Sequence, residues 1–391
     1  MSGHNPGQKH GAMNKPNGQI QSQRLRRLLH RLIDIYSPSG KEEEILSYVY
    51  GYMKRHHLPV IRQSVDDSRY NLVVMPPGLD VQLALIGHLD TVVAYDLDNY
   101  SYQETGDRIR GLGSADMKSG CAAMLEAYLS IWEAGFTQLP VALALVVGEE
   151  EEGDGIERLV EEFYFPWALV AEPTDLCPCL SHYGYMEIQI STRGKRLHAS
   201  LADRSRNPVE NMLGLLMQVS RYMIERRSEG VYNIRDLFSS HVGFAVPDWC
   251  EVWLDVHLPP HAPIGDVSVE LEQIVDLNRK NNPQNNATIR FVTVHDGYEL
   301  PEKGPVVKAL QNLYKKRSLA WTPKAFSSHS DANRLWISGV KPILLGPGQL
   351  QMAHAPEESV SFTQVQSAAE LYRDLIVSMG SWNYGKVCGT D

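Results

Sequence analysis

The stretch "VVGEEEEGDG", residues 146–155, runs from an apolar segment directly into four consecutive glutamates. The apolar residues at 141–147 predict a buried strand. Charge of this density normally marks a solvated loop, but carboxylates that follow a buried element repel one another and lose hydration. Either these glutamates face water or a cation gathers them.

The size and charge of the chain restrict its function. Its 391 residues suffice for one large core or two domains. A formal net charge of −10 argues against nucleic-acid backbone binding. No apolar run reaches the roughly 18 residues of a membrane span, and none near the N-terminus has the form of a secretion signal. Five cysteines, an odd number, favour a reducing cytoplasm over a disulfide framework.

Strand-like and helical patterns alternate in the first half of the chain. The strand-like runs lie at 71–75, 81–87, 141–147 and 167–172, and the helical patterns at 117–134 and 156–164. This alternation predicts an α/β fold with a mixed, mostly parallel sheet that is flanked by helices. A further buried strand is expected at 340–346.

From about residue 181 the pattern changes to two-residue alternation interrupted by helices. The segments follow one another at 185–193, 207–227, 250–258, 266–279 and 287–294. These five segments, with one strand between the helices not located, are interpreted as the strand-helix-strand-strand-helix-strand order of an α+β, ferredoxin-like domain. The sequence therefore predicts four segments: a flexible tail at 1–20, a catalytic domain at 21–180 and 297–391, and an inserted lid or dimerisation domain at 181–296.

Histidines and carboxylates stand where the predicted parallel strands end or where a helix begins. They are His88, Asp90, Asp116, Glu149, Glu150, Glu172 and His354. In open α/β sheets ligands bind at the carboxyl ends of the strands, so these side chains are expected on one rim. Imidazole and carboxylate groups together suit a divalent metal, above all zinc. Other acidic runs, at 42–44, 161–162 and 357–358, are expected to be solvated.

Seven motifs occur in order between about residues 25 and 378. They are "GHLDTV" (87–92), "GLGSADMKSG" (111–120), "VVGEEE" (146–151), "AEPT" (171–174), "GKRLHAS" (194–200), "SDA" (330–332) and "GPGQLQMAHAPEE" (346–358). With this set the chain resembles the zinc-dependent amidohydrolase and metallopeptidase family of acetylornithine deacetylase, succinyl-diaminopimelate desuccinylase, aminoacylase and carboxypeptidase G. The last motif is closest to acetylornithine deacetylases.

The resemblance implies two divalent metal ions per chain, with zinc as the first choice and cobalt or manganese as alternatives. His88 and Glu172 would hold one ion, Glu150 and His354 the other, and Asp116 would bridge both. It also implies a cis peptide bond at Asp116–Met117.

The resemblance further implies that Asp90 orients His88 and that Glu149 is the general base. Glu149 would take a proton from a water that bridges the metals and pass it to the leaving amine. The four-glutamate run leaves an alternative, in which the base and ligand are Glu150 and Glu151. The first alignment keeps "GDGIERLV" in step with the family and is preferred.

A histidine of the "GKRLHAS" motif, His198, would donate a hydrogen bond to the oxyanion. In the family this histidine commonly comes from the partner subunit. We therefore expect a homodimer formed through the inserted domain, with His198 reaching the neighbouring site. Hinges are expected near residues 181 and 296.

Three positions depart from the family pattern. Phe244 stands where an asparagine is usual, His257 where an arginine is usual, and Asn333 replaces an arginine, with Arg334 one residue further on. These departures leave the substrate open. The sequence predicts hydrolysis of an N-acyl amino acid, with a dipeptidase or carboxypeptidase as an alternative. A non-catalytic zinc-binding scaffold is an alternative of another class, but every expected ligand and the base are present.

Overall fold

The computed structural model of the protein describes residues 18–202, 207–241, 243–284 and 286–387. Most of the expected tail, residues 1–17, lies outside these ranges, as does Cys388. Residues 18–20 contact the folded chain, since Arg373 donates a hydrogen bond to the carbonyl of Gly18 and Ile20 packs against the main core.

The helices of the described chain are distributed along its whole length. They are α1 Ser22–Asp34, α2 Glu43–Arg55, α3 Lys118–Glu133, α4 Asp154–Glu162, α5 Pro208–Arg226, α6 Ile264–Asn281, α7 Pro305–Lys316, α8 Asp331–Ile337 and α9 Phe362–Val387. Among the residues that the structure describes, no helix is both long and apolar enough to cross a membrane.

The strands alternate with these helices. They are β1 Val60–Ser64, β2 Tyr70–Val74, β3 Leu83–His88, β4 Gln103–Thr105, β5 Arg108–Arg110, β6 Val141–Val146, β7 Trp167–Pro173, β8 Cys179–His182, β9 Gly184–Arg193, β10 Leu197–His198, β11 Val231–Ser239, β12 Ala245–Val246, β13 Trp249–Leu258, β14 Asn286–His295, β15 Tyr298–Glu299, β16 Lys324–Phe326, β17 Lys341–Gly346 and β18 Ser359–Ser361.

The main sheet has nine strands and a parallel centre. Its order is β1-β2-β6-β3-β7-β17-β8-β15, and β16 pairs with β8. β3 pairs in parallel with β6 and β7, and β17 pairs in parallel with β7. The outer strands β1, β2 and β15 pair antiparallel. The predicted mixed, mostly parallel sheet is therefore confirmed, and its four central strands end at the same edge.

Helix α3 lies at the centre of the main core. It packs against β3, β6 and β7 on one side and against α1 and α9 on the other. Its residues from Lys118 to Ile131 are all buried, because small and apolar side chains surround the helix on every side. A side chain at Gly120 would lie 2.6 Å from the Ala171 carbonyl oxygen, so glycine is required for this close helix-to-strand contact.

Residues 184–295, here called the insert, form a second core. Its antiparallel sheet has the order β11-β13-β9-β14. Buried and partly exposed residues alternate along β9 and β13, and the buried ones pack on α5 and α6. The expected α+β ferredoxin-like architecture is confirmed, and β11 supplies the fourth strand of the predicted order.

Two chain crossings, at residues 183 and 296, join the insert to the main sheet. The crossings are in close contact, since a side chain at Gly297 would lie 2.8 Å from the His182 carbonyl oxygen. The Asn333 amide donates to the carbonyl oxygens of Tyr183 and Asp296, at 3.1 and 3.2 Å. Both crossings lie within two residues of the predicted hinges, and movement about them remains a prediction.

Candidate metal centre

The carboxyl edge of the four parallel strands carries the candidate site. β3 ends at His88, and Glu172 is the second-last residue of β7. Glu149 and Glu150 follow the end of β6, and His354 lies in the loop after β17. Asp116 lies two residues before the start of α3. The fold thus brings together residues that are up to 266 positions apart in the sequence.

Asp116 lies between the two histidines. Its Oδ1 is 3.4 Å from His88 Nε2, and its Oδ2 is 3.7 Å from His354 Nε2. His88, Asp116 and Glu172 offer ligand atoms within 4.8 Å of one another, and so do Asp116, Glu150 and His354. The two groups share Asp116, which is the arrangement that a bridging carboxylate requires. The Asp116–Met117 peptide bond is cis, as predicted.

The residues present fit a pair of divalent ions. Four buried side-chain atoms in these groups have no hydrogen-bond partner: His88 Nε2, Asp116 Oδ1, Glu150 Oε1 and Glu172 Oε1. Buried polar atoms without partners are costly, and such atoms converging on one point are the donor set of a cation. Imidazole nitrogen and carboxylate oxygen are the ligands of zinc and similar metals.

The hydrogen bonding of His88 determines which of its ring nitrogens can bind a metal. Its Nδ1 lies 3.1 Å from the main-chain carbonyl of Asp90 and 3.7 Å from the Asp90 carboxylate. Because a carbonyl oxygen only accepts, Nδ1 is the donor and the Nε2 lone pair faces Asp116 and Glu172. The resemblance implied that the Asp90 side chain orients His88. Instead, the main-chain carbonyl of Asp90 is closer to His88 Nδ1 than the Asp90 carboxylate is. The Asp90 carboxylate accepts from Ser39 and from the backbone N–H of Glu150.

Burial and mutual repulsion perturb the carboxylates. Burial, together with the charges of Glu172, Asp331 and Glu150, raises the pKa of Glu149 well above its usual value. Burial and the charge of Asp116 raise the pKa of Glu172 in the same direction. The mutual repulsion of these buried acidic groups is electrostatically unfavourable, and positive charge placed among them would relieve it.

The glutamate run divides between the site and the solvent. Glu149 Oε2 is 3.7 Å from His88 Nε2, and Glu150 Oε2 is 2.9 Å from His354 Nε2. Glu151 is exposed and belongs to none of the candidate metal groups among the described residues. Arg334 holds the end of the run, because its guanidinium donates to the carbonyl oxygen of Glu152 at 2.6 Å.

A cleft of about 880 Å³ opens over these residues. Its floor is the candidate metal centre and the glutamate run. Its opposite wall is the open face of the insert's sheet, which contributes Tyr185, Arg235, Trp253 and His257. A substrate in this cleft would therefore contact both the main sheet and the insert.

His198 does not line this cleft. It lies on the two-stranded ladder of β10 and β12 and is exposed. The backbone N–H of Ser200 donates to its Nδ1 at 3.2 Å, and the Ser200 hydroxyl is 2.8 Å from the same nitrogen. Of the eight predicted site residues, the structure brings seven together and leaves His198 apart.

The three departures from the family pattern lie in different places. Phe244 is 91% exposed beside His198, and its carbonyl accepts from Ala199 N–H. His257 lines the cleft and stacks obliquely on Tyr185. Asn333 is fully buried and binds the two chain crossings rather than the cleft.

Two of the acidic runs are not solvated throughout, so that expectation is wrong for Glu42 and Glu358. Both are buried, and burial raises the pKa of each to about 7. Asp331 is a further buried carboxylate near the site, and burial raises its pKa to about 8. No periodic pattern in the sequence indicates that these three carboxylates are buried. For Asp331 alone, its position in the "SDA" motif could have indicated a place near the site.

The chain is similar to known proteins over most of its length. The model of peptidase family M20/M25/M40 matches residues 84–378. An acetylornithine deacetylase of Edwardsiella ictaluri is 26% identical over 356 residues, 85% of this chain and 90% of that protein. A probable carboxypeptidase of Aspergillus flavus is 24% identical over 380 residues, 89% and 86% of the two chains.

A likeness to solved structures supports the fold independently. A tripeptidase of Staphylococcus aureus superposes with a TM-score of 0.77 at 20% identity, covering 92% of this chain and 99% of that one. The expected family relationship is confirmed, and with it the expectation of an enzyme. The chain belongs to the hydrolases of peptidase family M20/M25/M40.

Proposed function

We propose that this protein is a metal-dependent amidohydrolase that cleaves the amide bond of an N-acyl amino acid. The observation that carries the proposal is Asp116, whose two carboxylate oxygens face His88 and His354 separately. A general-base candidate, Glu149, opens on the same cleft.

In this proposal His88 and Glu172 hold one divalent ion, Glu150 and His354 hold the second, and Asp116 serves both. Zinc is preferred because the donors are nitrogen and oxygen, with cobalt or manganese as alternatives. Ions held there would supply Lewis-acid polarisation of the scissile carbonyl and a water nucleophile at neutral pH.

Glu149 moves the proton. Its carboxylate lies at the cleft floor, 3.7 Å from His88 Nε2 and too far for a hydrogen bond, so it is available to the attacking water. It takes a proton from that water and gives it to the amine that leaves. Burial raises the pKa of Glu149, so its environment disfavours the charged carboxylate, and cations held beside it would favour that charged form.

Arg235 is assigned to the carboxylate of the substrate. It is the extra residue of a β-bulge in β11, and it lines the cleft. Bulges next to active sites commonly redirect a functional side chain. Glu187 and Asp255 hold its guanidinium at 2.7 and 3.2 Å. Arginine binds carboxylates in a bidentate manner, and the arginine expected in β13 is replaced by His257.

His198 is assigned to the neighbouring subunit's site. Because Ser200 N–H donates to Nδ1, the neutral imidazole carries its proton on Nε2. That N–H is the donor an oxyanion needs. His198 lies apart from the cleft of its own chain, which supports delivery to the site of a second copy.

A homodimer through the insert is supported by exposed apolar side chains. Leu213, Met217 and Ile224 project from α5, and Leu237 and Phe238 from the edge strand β11. An unpaired edge strand beside apolar side chains is a pairing surface that proteins normally cover. We further propose that residues 181–296 act as a lid that closes the cleft about the crossings at 183 and 296.

The unpaired cysteines support a cytoplasmic location, which we propose. Cys121, Cys177, Cys179 and Cys250, the four in the described part of the chain, are all unpaired, which is usual in a reducing compartment.

A dipeptidase or carboxypeptidase is the second candidate. The cleft volume of about 880 Å³ admits a dipeptide as well as an acylated amino acid. The carboxypeptidase named among the relatives is nearly as similar as the deacetylase.

One substrate panel tests both candidates. Zinc-loaded protein is incubated with N-acetyl amino acids, N-succinyl amino acids and dipeptides, and the released amine is measured. The Glu149→Ala protein, purified in parallel, controls for contaminating hydrolases. Release from acylated amino acids supports the deacylase, and release from dipeptides alone supports the peptidase. No release from any of these by protein that carries its metal would refute both.

A further inference from the structure

Glu358 lies buried beneath the candidate metal centre. It is 4% exposed and stands four residues after His354, directly before β18. Its Oε2 accepts the backbone N–H of Gly113 at 2.8 Å. Its Oε1 accepts those of Ala115 and Asp116 at 2.8 and 2.9 Å.

These three N–H groups belong to the turn that leads into α3. Residue Met117, at the helix N-cap, makes no side-chain capping bond, so the turn depends on another acceptor. Backbone N–H groups of one turn that converge in this way form a concave binding site for an anion. Glu358 occupies it and thereby fixes the backbone from Gly113 to Asp116.

The same residue joins two ligand loops. Its side chain binds the loop of Asp116, and its main-chain carbonyl accepts Gly111 N–H at 3.2 Å. Its own backbone continues the loop that carries His354. A displacement of either loop would alter the spacing between Asp116 Oδ2 and His354 Nε2, which is 3.7 Å.

We propose that Glu358 is a positioning residue, which holds the Asp116 carboxylate between His88 and His354 so that it can serve two ions. This inference rests on the proposed metal-dependent function. It assigns Glu358 no contact with substrate or with the reacting atoms.

Glu358→Gln tests the inference with little change in shape. An amide has one acceptor oxygen, and placing it toward Ala115 and Asp116 turns the NH2 group toward Gly113 N–H. Two donors then face each other in a buried place, so the turn must shift. Glu357→Gln is the matched control, because it removes the same charge one residue earlier, from a side chain that is 67% exposed and paired with Arg110.

Zinc affinity is measured by chelator competition, starting from the zinc-loaded full-length chain. Glu358→Gln should weaken zinc binding by about 10- to 100-fold, the usual effect of losing a partner that orients metal ligands. Glu357→Gln should bind zinc as the unaltered protein does. The visible spectrum of the cobalt-loaded protein should change in the first variant and not in the second.

The failures are distinguishable. Zinc affinity of Glu358→Gln within threefold of the control would overturn the positioning role while leaving the proposed function in place. Absence of zinc binding by the unaltered chain would overturn the proposed function and this inference together. If Glu358→Gln does not fold, Glu358→Asp replaces it, since its shortened side chain keeps the charge but withdraws from the three N–H groups and should weaken zinc binding likewise.

Discussion

Alanine substitutions at Glu149, Glu150 and Glu151 separate the base, the ligand and the solvated glutamate within one run. Glu149→Ala should keep the metal and the fold but lose most of kcat. Glu150→Ala should lose metal, because it removes an oxygen from the group formed with Asp116 and His354. Glu151→Ala should change neither property, since its side chain is exposed and outside the candidate groups.

The magnitude for Glu149 follows from its position. Its Oε2 lies 3.7 Å from His88 Nε2, which is not a hydrogen bond, so truncation leaves His88 no less satisfied and the stability cost is small. What is lost is proton transfer, worth about 10²- to 10⁴-fold in rate, or about 3–5 kcal/mol of barrier. For Glu150 the truncation breaks a 2.9 Å contact with His354 Nε2, and the loss is of metal first and turnover second.

Metal content by elemental analysis and kcat on the best panel substrate are measured for all three proteins. The three variants serve as controls for one another, because each removes the same charge within three consecutive positions. The assignment is refuted if Glu150→Ala retains metal without turnover while Glu151→Ala loses metal. That result would move the base and the ligand one residue along the chain.

Asp116→Ala should lose both ions together, as expected for a shared ligand; elemental analysis that finds about two ions per chain would contradict the shared role. His198→Ala should lower kcat by about 10²- to 10³-fold at normal metal content. When the His198→Ala and Glu149→Ala proteins are mixed and exchange subunits, about a quarter of wild-type activity should return. Half of the dimers are then mixed, and one of the two sites in each has both Glu149 and a donated His198. If no activity returns, His198 acts in its own subunit's site or in none. Asn333→Ala should destabilise the protein by about 1–3 kcal/mol for each carbonyl left without its donor, measured by the urea midpoint. The exposed Asn281→Ala is its control, and equal midpoints would show that Asn333 does not hold the crossings.

Much of the fold could be read locally. The apolar runs of β3, β6, β7 and β17 are bounded by turn signals, and the alternation in β9 and β13 has the period of a half-buried strand. Strand β11 carries no such signal, because it is an edge strand without a buried residue. The antiparallel direction of β1 and β2 was also beyond prediction, since direction depends on pairing across the sheet.

The candidate site was predictable in membership but not in detail. Ligands that follow successive parallel strands must meet at one edge, so His88, Glu172 and His354 could be grouped from sequence. The hydrogen-bond partner of His88 Nδ1 could not, because it depends on the turn after β3. Asn333 gave no indication that it binds the two crossings, since its partners lie 150 and 37 residues away.

The sequence by itself determined the order of most strands and helices, because local periodicity indicates them. It also determined the family and the residues that can bind metal, because these follow from the ordered motifs. Only the tertiary structure decided which glutamates of the run face the site, that Glu358 is buried under Asp116, and that His198 stands apart from its own cleft. Burial and distance depend on packing between remote segments. The local sequence does not distinguish a glutamate on a solvated loop from one that accepts hydrogen bonds from three buried N–H groups, because the difference arises only when the chain folds.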